Sequence, residues 1–134
     1  MLSIYPACFY KEKNGYSVIF PDLNHLATCG DTLDEAVEMA VDCLAVYLYT
    51  AKEDRIEVPM PSDIGEIVLA DDFEYESAFV NVVAVDVEEY AKAHFTKSVK
   101  KTLTIPMWLN LKATEMGINF SQTLQEALIA KVQG

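Results

Sequence analysis

The chain is poor in the residues that staple, ligate or catalyse. It has three cysteines, Cys8, Cys29 and Cys43, standing 21 and 14 residues apart with no CxxC pair. An odd, widely spaced set predicts reduced core thiols rather than a disulfide framework. Its two histidines, His25 and His94, lie far from every cysteine and are tied by no motif to a serine or cysteine nucleophile. Neither a metal site nor a cofactor is therefore expected. Long apolar runs are missing too: the longest stretch free of Asp, Glu, Lys and Arg is ten residues, as in Thr102 to Leu111. A membrane-spanning helix needs roughly twenty. The amino end, Met1-Leu2-Ser3-Ile4-Tyr5-Pro6, has no basic leader before an apolar core and no small-residue cleavage pattern. The expectation is a cytoplasmic chain with no membrane partner. Basic residues are also scarce, 10 Lys+Arg against 21 Asp+Glu for a net charge of −11, a balance that ordinarily disfavours nucleic acid.

What is present is enough apolar material for a real core, 51% of 134 residues, and a charge that is unevenly placed. Residues 1–95 carry 5 Lys+Arg and 19 Asp+Glu, a balance of −14; residues 96–134 carry 5 Lys and 2 Glu, a balance of +3. Three of those lysines, Lys97, Lys100 and Lys101, fall in one five-residue window. An acidic body thus carries a short basic module, with the boundary expected near residue 95.

In the acidic part, Asn14-Gly15 between the runs Leu2–Lys11 and Tyr16–Phe20 predicts a β-hairpin with a type I′ turn. Pro6 removes a donor from the first strand and suggests an edge position or a late start. A third strand around Leu26–Cys29 should run through Gly30 into a helix opened by the capping box Thr32-x-x-Glu35 and reaching about Tyr49. Leu33, Ala36, Val37, Ala40, Leu44, Tyr47 and Leu48 recur at helical spacing and predict the face that packs on the sheet. Glu35, Glu38 and Asp42 share another stripe, either a solvated face or a docking surface for a basic partner. Residues 53–77 read as a long connection, with one short strand at Ile67–Leu69. Ala78–Val85 is almost continuously apolar and predicts a strand covered on both faces; Asp86 and Glu89 then cap a short helix over Val87–His94.

In the basic module, Lys100, Thr102 and Thr104 alternate with Lys101, Leu103 and Ile105, predicting a strand stopped by Pro106. Met107–Met116 is helical with Gly117 as its stop, and Asn119 or Ser121 caps a second helix. About forty residues bury little core alone, and the strand has no hairpin partner in sequence. It needs a second chain, and two copies paired about a two-fold axis would form a ribbon that fits the DNA major groove.

The segment KTLTIPMWLNLKATEMGINFSQTLQEAL resembles a ribbon-helix-helix DNA-binding domain. YPACFYKEKNGYSVIFPDL followed by ATCGDTLDEAVEMAVDCLAVYL resembles the partial ribonuclease-H-like domain of HicB antitoxins. The resemblance implies an α+β chain: residues 1–95 a partial ribonuclease-H-like sheet with one main helix, and residues 96–134 a dimeric ribbon-helix-helix domain. It further implies a type II toxin–antitoxin system. The first domain would inhibit a small basic HicA-like mRNA endonuclease, and the second would repress the shared operon by binding operator DNA as a homodimer or higher even oligomer. Carried onto this sequence, Lys100, Thr102 and Thr104 take the outward ribbon positions, with Lys97 beside them. Asn119, Phe120 and Ser121 stand at the second helix start, where backbone N–H groups anchor a phosphate. Glu35, Glu38, Asp42 and Asp22 are the acids expected to face the toxin. Threonines stand where an arginine or asparagine often reads bases, which implies either modest sequence readout or reliance on DNA shape, and Asn24-His25-Leu26 replaces a usual Pro-Gly turn.

An enzyme is the competing class, because ribonuclease H chemistry uses paired carboxylates on two metal ions. Asp22, Asp31 and Asp34 would be the candidates, but the acids of this chain cluster on one helix, in loops and at residues 71–76 rather than converging from distant strands. No catalytic residue is assigned. A repressor whose acidic domain senses a ligand or only dimerises is the other alternative.

Overall fold

A β-hairpin opens the fold of the computed structural model, which describes residues 1–95 and 99–134. Strands β1 (Ser3–Glu12) and β2 (Gly15–Phe20) pair antiparallel from Cys8 opposite Ile19 to Glu12 opposite Gly15. The two-residue turn is Lys13-Asn14, and Asn14 stays out of the left-handed region, so the expected type I′ turn is not formed. The positive φ falls on Gly15 instead, at +148°, where a Cβ would lie 2.7 Å from the Gly30 carbonyl oxygen. Gly15 is needed for that close approach as much as for the turn. Successive left-handed residues do occur, at Asn24 (φ +57°) and His25 (φ +56°), joining a 3-10 turn at Pro21–Leu23 to β3 (Leu26–Gly30).

The sheet has four antiparallel strands in the order β3-β2-β1-β4, with β4 spanning Ser77–Val85. This corrects two expectations. Pro6 lies in a central strand, opposite Val82 of β4, and is tolerated because the β2 ladder begins only at Cys8. At Pro6 the strand has a partner on one side alone, which is where a missing N–H costs least. Strand β4 is an edge strand and is not covered on both faces: Val83 and Val85 are buried while Phe79 and Val82 are exposed.

Helix α1 (Leu33–Glu53) starts as its capping box predicts, with the Glu35 N–H donating to Thr32 Oγ1 at 3.2 Å. It runs four residues past Tyr49, because nothing before Asp54 breaks it. Arg55 then takes a left-handed φ of +55°, and the Ile56 N–H reaches back to the Ala51 carbonyl at 2.8 Å, closing the end without a glycine. Ala36, Ala40 and Leu44 pack against Tyr5, Phe9, Val18, Phe20, Val83 and Val85 in one core between helix and sheet. Leu33 and Val37 of the expected packing face stay partly exposed. Gly30 permits the close helix approach, since a Cβ there would meet the Ala36 nitrogen at 2.5 Å. Helix α2 (Val87–His94), capped by Asp86, packs on α1 through Tyr90 and through Phe95 against Tyr49.

Residues 54–76 hold no strand; a 3-10 turn at Ile64–Glu66 is their one regular piece, and the strand expected at Ile67–Leu69 is not formed. The segment is fixed by side chains rather than by a ladder. Tyr5 donates its hydroxyl to the Pro59 carbonyl at 2.6 Å, the Ala70 N–H donates to Tyr10 Oη at 3.0 Å, and Phe73 and Tyr75 pack on the Tyr10 ring. Burial pushes the Tyr5 and Tyr10 phenols above their ordinary range.

The chain divides into two compact units, Met1–Lys97 and Ser98–Gly134. The second unit contains α3 (Met107–Glu115) and α4 (Phe120–Gln133), with Gly117 between them at φ +67°. Lys100–Ile105, expected as a strand, forms no ladder in the single chain; a strand needs a partner to close its hydrogen bonds. Among the cysteines, Cys8 is a core thiol as expected, but Cys43 is half-buried and Cys29 is exposed, because β3 is an edge strand.

Candidate docking and nucleic-acid surfaces

Three of the four acids expected to face a partner stand together on α1. Glu38 is exposed, Glu35 accepts the Asp31 N–H at 3.3 Å beside the capping threonine, and Asp42 accepts the Tyr90 hydroxyl at 2.8 Å. Burial and that bond to Asp42 push the Tyr90 phenol up. Asp22 stands apart from this stripe, in the 3-10 turn after β2, where its two oxygens accept the Ser62 N–H and hydroxyl, each at 2.7 Å. Those two hydrogen bonds clasp the long connection to the sheet and engage both carboxylate oxygens.

Beside the acidic stripe lies a groove that the periodicity argument missed. Met39, Cys43, Val46, Tyr47 and Thr50 form a second seam along α1, facing Leu26 and Thr28 of β3 and Ile56 beyond the helix end, around a cavity of about 490 Å³. Among the described residues, its charged liners are Asp42 and Asp54. The signal was present in the sequence as the spacing i, i+4, i+7, i+11 from Met39, but the core seam of the same helix overshadowed it. Burial, with Asp42 adding to it, pushes the Cys43 thiol up. Among the described residues, no three His, Cys, Asp or Glu side chains come together as a metal site, and no helix is long and apolar enough to cross a membrane.

In the second unit, Lys100, Thr102 and Thr104 are all exposed, and Lys97 lies outside the described residues. Asn119 is the cap of α4, its Oδ1 accepting the Gln122 N–H at 3.0 Å. Phe120 opens that helix, and the Ser121 hydroxyl accepts from Gln125 Nε2 at 3.4 Å. Among the unit's described apolar side chains only Ala113 is buried; Leu103, Trp108, Leu111 and Leu128 stay more than half exposed.

The family described as HicB-like antitoxin of bacterial toxin–antitoxin systems matches this chain over residues 5–132. Antitoxin HicB 2 of Photorhabdus laumondii is 44% identical over 62 residues, which are 46% of this chain and 45% of that protein, so the match spans less than half the relative's length. Among solved structures, a toxin–antitoxin complex from Streptococcus pneumoniae contains a chain 38% identical to this one, covering 98% of this chain and 99% of its own at a TM-score of 0.64. The N-terminal domain of the Burkholderia pseudomallei antitoxin HicB is 25% identical and covers 63% of this chain and 99% of its own, at a TM-score of 0.50. The family match runs through both units, and the chain belongs to the HicB-like antitoxin family.

Proposed function

We propose that this chain neutralises a HicA-like mRNA endonuclease by direct binding through residues 1–95 and represses its own operon by binding operator DNA through residues 96–134. In this reading the first part is a partial ribonuclease-H-like domain, an assignment supported by the sheet order with α1 following the third strand. The second is half of a ribbon-helix-helix domain completed by another copy. The observation that carries the proposal is the division of the chain into an acidic unit with a closed core and a small basic unit whose apolar side chains stay uncovered. A row of exposed apolar groups on so short a unit is the signature of a missing protein partner.

The acidic unit acts by covering the toxin's RNA-binding face, where opposite fields speed encounter. It does so without catalysis: Asp22 spends both carboxylate oxygens on Ser62, and Asp31 and Asp34 belong to the start of α1. In the dimer, Lys100, Thr102 and Thr104 display twice on the ribbon's outer face, with Lys97 adding charge near the phosphates. Because Asn119 spends its side chain on Gln122, the N–H groups of Phe120 and Ser121 are left to anchor a phosphate. The work takes place in the cytoplasm, where the mRNA and the operator are.

The test is to purify the tagged chain from its native host at moderate salt and weigh any stoichiometric companion as an intact protein. A small basic companion that cuts RNA once released is expected. A lone dimer that binds its promoter would overturn the antitoxin reading in favour of a repressor whose acidic unit serves another purpose.

A further inference from the structure

Helix α1 carries more apolar surface than its own core uses. One seam, through Ala36, Ala40 and Leu44, is buried on the sheet. The second, through Met39, Cys43, Val46 and Thr50, runs about 16 Å at 1.5 Å per residue and faces the outer strand β3 across the groove. The opposite face of the sheet is treated differently: there the chain's own Phe73 and Tyr75 pack over Tyr10. Among the described liners of the groove, the connection after α1 contributes Asp54 and Ile56 alone. A helix apolar on two sides in a chain this acidic calls for a second covering element.

The charges around the groove say what that element carries. Asp42 and Asp54 line it, Glu35 and Glu38 continue the Asp42 stripe toward the start of α1, and among the described residues no lysine or arginine lines it. Lys52, on the same helix, is paired with Glu88 at 3.6 Å. The fit is to an apolar side chain flanked by Lys or Arg.

We propose that the groove between α1 and β3 seats an apolar anchor of the basic toxin, with the acidic stripe beside it steering the approach. This rests on the antitoxin reading above, and it separates two jobs. Desolvated apolar anchors set how slowly a complex dissociates, whereas exposed rim charges set how fast it forms. Met39 at 41% exposure and Val46 at 43% are open enough in the free chain to be replaced without disturbing the core.

The experiment uses the full chain and the basic companion that co-purifies with it, released in denaturant and refolded. Val46→Asp and Met39→Asp should each raise the dissociation rate tenfold or more and leave the association rate within a few-fold. Reversing Glu35, Glu38 and Asp42 to lysine should slow association in a salt-dependent way. As an independent reading on the unmodified chain, alkylation of Cys43 by iodoacetamide should slow in the complex relative to Cys29, whose side chain lies on the opposite face of the sheet. Val46→Asp dissociating like the parent chain, with Cys43 equally reactive free and bound, would overturn the groove assignment while leaving the antitoxin reading standing. A change in the mass of the chain alone on Val46→Asp would overturn it in favour of a second copy as the occupant. If no companion binds the parent chain at all, the antitoxin reading itself fails, and the groove assignment with it.

Discussion

The two units solve the same problem, covering apolar side chains, in opposite ways. In the first, Leu44 is fully buried between α1 and the sheet, and the core closes within one chain. In the second, α3 and α4 leave Trp108 68% exposed and Leu128 53% exposed, with Ala113 alone buried among its described apolar residues. The difference follows from what each sequence brings. The first unit supplies four strands and a long helix, two layers that bury each other. The second supplies two short helices and a segment that forms no ladder, so its apolar side chains stay open.

That contrast can be broken by the same chemical change made on both sides. Leu44→Ala should cost about 2–5 kcal/mol of stability, independent of protein concentration, because it opens a cavity in a closed core. Leu128→Ala should cost no more than about 0.5 kcal/mol if the second unit is a monomer, as for any exposed site. If a second copy covers it, the loss is larger and the melting midpoint of the unit falls on dilution. Urea melts at two protein concentrations separate the cases, and a midpoint of the second unit that does not move with concentration would end the dimer reading.

The proposed use of the second unit as a DNA reader sharpens the comparison. Thr102→Ala should relax operator preference by about 1–3 kcal/mol if the side chain contacts a base edge. Lys100→Ala should weaken binding to all sequences alike and shallow the salt slope by about one. Titrations against operator and scrambled duplexes at several salt concentrations measure both, and no change in either variant would remove the ribbon from the DNA interface.

Caps offer a smaller, matched pair. Thr32→Ala and Asn119→Ala should each cost about 1 kcal/mol by stranding an N–H at a helix start, Glu35 in one case and Gln122 in the other. Only the Asn119 change should also weaken operator binding. The smallest effect concerns the groove. With its thiol pushed up by burial, Cys43 should alkylate along a pH curve displaced upward from that of the urea-unfolded chain. The sign is that of a raised group: its contribution to stability is whole below the ordinary thiol pKa and fades as pH rises through the folded-state value. Coincident curves would show that the groove does not desolvate Cys43.

Much of the first unit was legible residue by residue. Thr32 with Glu35 and Asp86 with Glu89 fixed two helix starts through local hydrogen bonds, and Asn119 fixed a third. Strand positions fared less well, because neighbours in a sheet are set by distant pairing. Pro6 looked like an edge residue and stands in a central strand, and Ala78–Val85 looked central and stands at the edge. The acidic stripe was visible as a spacing, whereas Asp22 was separated from it by a bond to Ser62, 40 residues away, that no local pattern announces. The groove was legible by half: its α1 wall shows as a spacing from Met39, whereas its other wall, β3, is set by distant pairing.

By itself, then, the sequence determined what depends on near neighbours: the split of charge between the two parts, the caps, the helix periodicities, and motifs specific enough to indicate the family. Tertiary structure decided which strand lies at each edge of the sheet, which carboxylates stay free, and where α1 keeps a second apolar seam uncovered. Local hydrogen bonds and side-chain periodicity act over three or four residues and can be read along the chain. Strand order and burial are settled by contacts between residues tens of positions apart, whose energies exist only once the chain has closed on itself.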